Sequence, residues 1–157
     1  MVGDSRAVPL NYLHVTPNYT LLNWYAGTFN AYASYQDLIT LAMNEAGVED
    51  SVIRFAAKTL RDSQRDDGGW SQLDGGSSDS YATGSALVAL NRVGGLDAKD
   101  PDYQRGLGFL LRTQKADGSW MIKSRSKPFQ PYYESGFPHG KDQFISVAAS
   151  GWATAAL

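Results

Sequence analysis

The chain has 157 residues, enough for one domain of ordinary size with a proper core. Its 14 Lys and Arg against 16 Asp and Glu leave it close to neutral, without the concentrated positive charge that nucleic-acid binding needs. Cysteine is absent, which excludes disulfides, thiolate zinc sites, iron–sulfur clusters and a cysteine nucleophile and leaves a metal only His and carboxylates, so neither metal nor cofactor is expected.

Residues 1–23 contain Pro9, Pro17 and scattered aromatics with no sustained helical period, and read as an irregular N-terminal arm. The first residues lack the apolar stretch of a signal sequence, and no apolar run is long enough to span a bilayer as a helix. A soluble or peripherally membrane-bound protein is expected. The spacing predicts a first inner helix over 29–46, with Leu38, Leu41 and Ala42 as its apolar stripe and Gly47 as its stop. Asp50 and Ser51 then open an outer helix in which Val52, Phe55, Ala56, Thr59 and Leu60 recur at three- and four-residue steps, ending near Gln64. Asp66-Asp67-Gly68-Gly69 breaks it, and the Gly- and Ser-rich stretch 74–78 keeps the chain in a loop. A second inner helix starts with Asp79 or Ser80 as its cap, carries Ala82, Ala86, Ala89 and Val93 as a small-residue face, and stops at Gly94-Gly95. Asp100-Pro101 starts the second outer helix, with Tyr103, Leu107, Leu110 and Leu111 on one side, and Gln114 closes it. A loop rich in Pro and Gly follows Trp120, and Asp142 begins a third inner helix.

These pieces repeat. Gln64, Asp67, Gly68 and Trp70 return fifty residues later as Gln114, Asp117, Gly118 and Trp120, and Ile53, Ala56, Thr59 and Leu60 fall opposite Tyr103, Gly106, Phe109 and Leu110. Residues 150–157 match 83–90 in their Gly, Ala, Ala and Leu positions. A fixed period of this size marks stacked supersecondary units. The expected fold is all-α, built of α-hairpin repeats over about 29–70, 79–120 and 142–157, the last incomplete. Such a repeat buries its face only on neighbours, so the chain is expected to form a homo-oligomer or to be a segment of a longer one.

Arg105-Gly106, Phe109, Gln114, Gly118 and Trp120 follow the spacing of the QW motif, and the chain resembles squalene–hopene and oxidosqualene cyclases at their C-terminal end. The resemblance covers roughly residues 52–157 and extends to Tyr132-Tyr133 and Gly136-Phe137-Pro138. It implies that residues 24–157 form part of an (α/α) toroid whose inner helices face a central cavity. It also implies an isoprenoid (polyprenyl) ligand in an aromatic-lined pocket, and peripheral membrane contact. Class II cyclases protonate an alkene from an Asp-x-Asp-Asp motif, which this sequence lacks. The related protein prenyltransferases hold zinc with Asp, Cys and His, and that site does not carry over without Cys.

Inner-helix N-termini face the cavity mouth in such toroids, so Asp79, Tyr81, His139, Asp142, Gln143 and Phe144 are the positions of interest. Asp142 with His139 is the candidate proton-donating pair, set against helix capping for Asp142, the reading also taken for Asp79. Tyr81, Tyr132, Tyr133, Phe137 and Phe144 are the candidate isoprenoid-binding aromatics, whose ring faces can stabilise carbocations. Lys123, Arg125 and Lys127 could meet a diphosphate or form an ordinary solvated loop. Gln64, Trp70, Gln114 and Trp120 read as structural staples at the frayed ends of the outer helices. Two functions remain open at this point: a cyclase-like isoprenoid-binding domain, and a non-catalytic helical-repeat module for protein interaction or assembly.

Overall fold

A computed structural model describes residues 47, 49–73, 75–125 and 134–157. The arm 1–23, the expected helix over 29–46, Lys127, Tyr132 and Tyr133 lie outside the described residues. Among those described are four α-helices, one 3-10 turn and a lone antiparallel bridge between Trp70 and Asp79.

Helix α1, Asp50–Asp62, buries Ile53, Ala57 and Leu60 at the four- and three-residue steps of one helical face. The stripe expected there included Val52 and Phe55, which instead stand 42% and 72% exposed. Both sets share the helical period, and burial follows the set that meets the next helix.

Helix α2, Ser80–Arg92, is buried on all sides from Ser80 to Leu90. A single small-residue face was the expectation, but the helix runs between α1, α3 and α4 and reaches solvent only at its last two residues, Asn91 and Arg92. Helix α3, Pro101–Thr113, begins as its sequence demands: the Asp100 carboxylate accepts from the Asp102 amide and Pro101 occupies the first helical position. It buries Tyr103, Gly106, Phe109 and Leu110, while Leu111, expected on the same side, is 59% exposed.

Helix α4, Gln143–Ala156, follows a 3-10 turn at Gly140–Asp142 and packs its small inner face of Ser146, Ala149, Ala153 and Ala156 on α2. The approach is closest at Gly84, where a Cβ would stand 2.7 Å from the Ala153 nitrogen. Tyr103 ties α3 to the end of α4 by donating from its hydroxyl to the Ala156 carbonyl at 2.8 Å. No described helix is long and apolar enough to cross a membrane.

Candidate functional site at the inner-helix N-termini

Two turns built alike set the chain up for this site. After α1, the Arg65 amide donates to the Gly69 carbonyl and Gly68 to Arg65; after α3, Lys115 donates to Ser119 and Gly118 to Lys115. Asp67 and Asp117 each accept from the amide two residues on, and Gly68 and Gly118 take φ of 86° and 83°, where a Cβ would be strained. The Gln64 and Gln114 side-chain amides donate to the Gly68 and Gly118 carbonyls. The indoles of Trp70 and Trp120 each donate to the carbonyl of the helix they follow, Leu60 and Leu110, at 2.8 Å. The indole thus reaches the frayed end of the helix and the glutamine amide holds the turn that follows it.

Beyond each Trp the chain runs along the next inner helix. Trp70 donates its amide to Thr83 Oγ1, and Trp120 to Ser150 Oγ, both at 3.0 Å. In the second repeat the pairing continues: Ile122 donates to Ser146 Oγ at 3.0 Å and Ser124 to Asp142 Oδ1 at 2.8 Å. Alternate amides of an extended segment, about 6.6 Å apart, meet side chains one helical turn apart, about 6 Å. Asp142, Ser146 and Ser150 thus form a polar rail on α4.

This rail changes the meaning of Asp142. With Thr83 matched to Ser150, the counterpart of Asp79 is Ser146, and α4 begins about one turn earlier than α2. Asp79 caps α2, accepting from the Ala82 amide at 2.8 Å, as expected. Asp142 makes no capping bond to α4; it is buried in the 3-10 turn and holds the Ser124 amide. Nor do Asp142 and His139 pair through their side chains. They meet through the backbone, Asp142 amide to His139 carbonyl at 3.0 Å, while His139 Nε2 lies 2.7 Å from Ser119 Oγ. Ser119 gives its own proton to Asp117 at 2.6 Å, so the imidazole is the donor to Ser119. That serine hydroxyl and its amide hold the Asp117 carboxyl below its ordinary range. His139 sits at φ 86°, an uncommon conformation for a residue with a Cβ, and its ring stands edge-on to Phe137.

The remaining residues fall as follows. Tyr81 is buried in the core, Phe137 half-buried, and Phe144 57% exposed with Val147 one turn away on the same open side of α4. Gln143 is fully buried, and its Oε1 accepts from the Ser135 amide at 2.6 Å. Lys123 is exposed, whereas Arg125 reaches back to within 3.7 Å of Asp79 Oδ2. Gln72 donates to that same oxygen at 2.7 Å. Neither partner of Asp79 was foreseen, and the available signal was the repeat itself, since Gln72 stands two residues past Trp70 as Ile122 does past Trp120.

Burial pushes the Asp79 carboxyl above its ordinary range, against the Ala82 amide, Gln72 and Arg125, which all favour its charge. A raised folded value means that the native state prefers the neutral acid, so stability is fullest below the ordinary carboxylate pKa and falls as pH rises through the folded one. Asp79→Asn keeps a capping oxygen and removes that penalty. We expect the variant to gain melting temperature relative to the parent near pH 7, the gap closing as pH is lowered toward about 4. Thermal melts across that range check the sign. A gap that instead favours Asp79 near pH 7 would mean that Arg125 and the amides outweigh desolvation.

Among the described residues no group of three His, Cys, Asp or Glu could hold a metal ion. A family model described as the squalene-hopene cyclase C-terminal domain matches residues 9–145, including part of the stretch read as an irregular arm. Among curated proteins the chain is similar to the squalene–hopene cyclase of Bradyrhizobium diazoefficiens, 31% identical over 131 residues. That alignment covers 71% of this chain and 18% of the cyclase, so the chain spans less than a fifth of its relative. No solved structure matches at a significant level.

Proposed function

The chain belongs to the squalene–hopene cyclase C-terminal family, and from that membership we propose that it is an isoprenoid-binding section of a toroid wall that does not itself supply the initiating proton. The observation that carries the second half is the state of the two acids at the inner-helix N-termini. Alkene protonation requires a carboxylic acid whose proton faces the substrate. The Asp142 carboxylate instead holds the backbone amide of Ser124, and His139 is engaged by Ser119. Asp79 is pushed toward the neutral form by burial, but its oxygens already accept from Ala82 and Gln72. No Asp-x-Asp-Asp motif is present to replace them.

Phe144 and Val147 support the first half. Together they offer a polyprenyl chain an apolar strip on α4, and covering a Phe and a Val side chain is worth about 1.5 to 3 kcal/mol each when complete. Tyr81, already inside the core, is a supporting residue in this reading.

The test is thermal shift with squalene and with prenyl diphosphates in detergent, followed by product analysis. Stabilisation that drops at least severalfold in Phe144→Ala, with no cyclised product, is the expected result. No response to any isoprenoid would sink the binding half and favour the assembly-module reading. A cyclic product that disappears in Asp142→Asn would overturn the non-catalytic half.

A further inference from the structure

The aspartate of each QW turn also anchors the stretch that leads into the next inner helix, and the two repeats use it differently. In the first, Asp67 Oδ1 accepts from the Gly69 amide at 2.9 Å and from the Ser78 hydroxyl at 2.8 Å, two residues before α2 begins. Gly69 makes room for this, since a Cβ there would stand 2.6 Å from the Ser78 Cβ. The anchor is direct.

In the second repeat Ser119 stands in the place of Gly69, and its own hydroxyl takes the part of Ser78, donating to Asp117 Oδ1 at 2.6 Å. The stretch before α4 therefore reaches the aspartate only through a relay, His139 Nε2 to Ser119 Oγ at 2.7 Å. Reaching it holds His139 at φ 86°, the sole left-handed non-glycine among the described residues. Such a conformation costs a residue with a Cβ roughly what one hydrogen bond returns, so this anchor is the weaker of the two.

The loop that carries it has a fixed base. Gln143 Oε1, fully buried, accepts from the Ser135 amide at 2.6 Å and from the Ser135 hydroxyl. The 3-10 turn Gly140–Asp142 hangs from the His139 carbonyl through the Asp142 amide, at 3.0 Å. With the base fixed, His139 leaves its left-handed conformation only by lifting its imidazole off Ser119 together with that turn. The movement carries Asp142, and with it the 2.8 Å hold on the Ser124 amide.

We propose that residues 136–142 form a strap with two positions, docked when His139 sits on the Ser119–Asp117 pair and lifted when it does not, and that docking sets whether Asp142 holds the 120–124 segment on α4. The strap does not depend on isoprenoid binding.

Hydrogen exchange resolved by residue on the whole chain tests this. In the parent the Ser124 and Asp142 amides should open together, about tenfold or more as often as the Trp70 and Asp79 amides of the first repeat, as a local opening below global unfolding. Ser119→Ala removes the relay and should raise exchange at Ser124 and Asp142 by a further factor of about ten, leaving Trp70 and Asp79 unchanged. His139→Ala should act alike and His139→Gly less, because glycine takes the left-handed conformation without strain. Parent amides at 124 and 142 that exchange only with global unfolding overturn the proposal. So does a folded Ser119→Ala chain with unchanged exchange there, or equal effects of alanine and glycine at position 139. Circular dichroism identifies a variant that has unfolded, and the parent measurement then decides alone.

Discussion

Trp120→Ala should destabilise the chain by about 3 to 5 kcal/mol, the range for emptying an aromatic site in a packed core. Trp120 is the largest fully buried side chain among the described residues and sits in the core shared by α2, α3 and α4. Truncation removes that volume and also the indole donor to the Leu110 carbonyl, which keeps the Gln114 amide and the Thr113 hydroxyl. Trp120→Phe separates the two effects, because it keeps most of the volume and loses only the indole bond, for which about 1 kcal/mol is expected. Gln114→Ala acts on an exposed amide bonded to its own turn and should cost less than about 1 kcal/mol. Denaturant titration of the three variants gives the order. Equal losses for Gln114→Ala and Trp120→Ala would mean that the amide, and not the indole, clamps the helix end.

Gly84→Ala is expected to cost about 1 to 3 kcal/mol, although alanine is the better helix former. The new methyl would stand 2.7 Å from the Ala153 nitrogen and the Trp152 carbonyl carbon, both backbone atoms, so α2 and α4 must separate. Gly151 occupies the matching position on α4 and has open space where a Cβ would go. Gly151→Ala should therefore stabilise the chain in dilute solution by roughly 0.5 to 1 kcal/mol, the ordinary gain for Gly to Ala in a helix. The two glycines share a register and are expected to respond with opposite sign. Melting temperatures of both variants suffice, and a loss at Gly151 as large as at Gly84 would place an unseen neighbour against α4.

The same pair of glycines shows where reading the sequence stops. The helical repeat, the all-α class and the cyclase-like family were legible because their signals are local: Asp100-Pro101 starts α3, Asp79 caps α2, and the Asp-Gly turns force the chain round after each outer helix. These effects act within a few residues, and fifty-residue repetition makes them visible twice. The burial pattern was not legible in the same way. On α1 both Ile53 and Phe55 belong to stripes with helical spacing, and only the position of α2 decides which one is covered.

The candidate acid pair shows the same limit for polar groups. His139 and Asp142 are three residues apart, a spacing that allows a side-chain bond, yet each side chain finds its partner 18 to 20 residues away, in Ser124 and Ser119. The sequence by itself determined the repeat, the helix starts and the glycine turns, because caps, prolines and left-handed residues act on their own stretch of backbone. Only the tertiary structure decided that Asp142 is a rail for the passing chain and that Phe144 is open and Tyr81 closed. Those outcomes depend on which surfaces meet, and a helix's own residues carry its apolar and polar positions without specifying what will cover them.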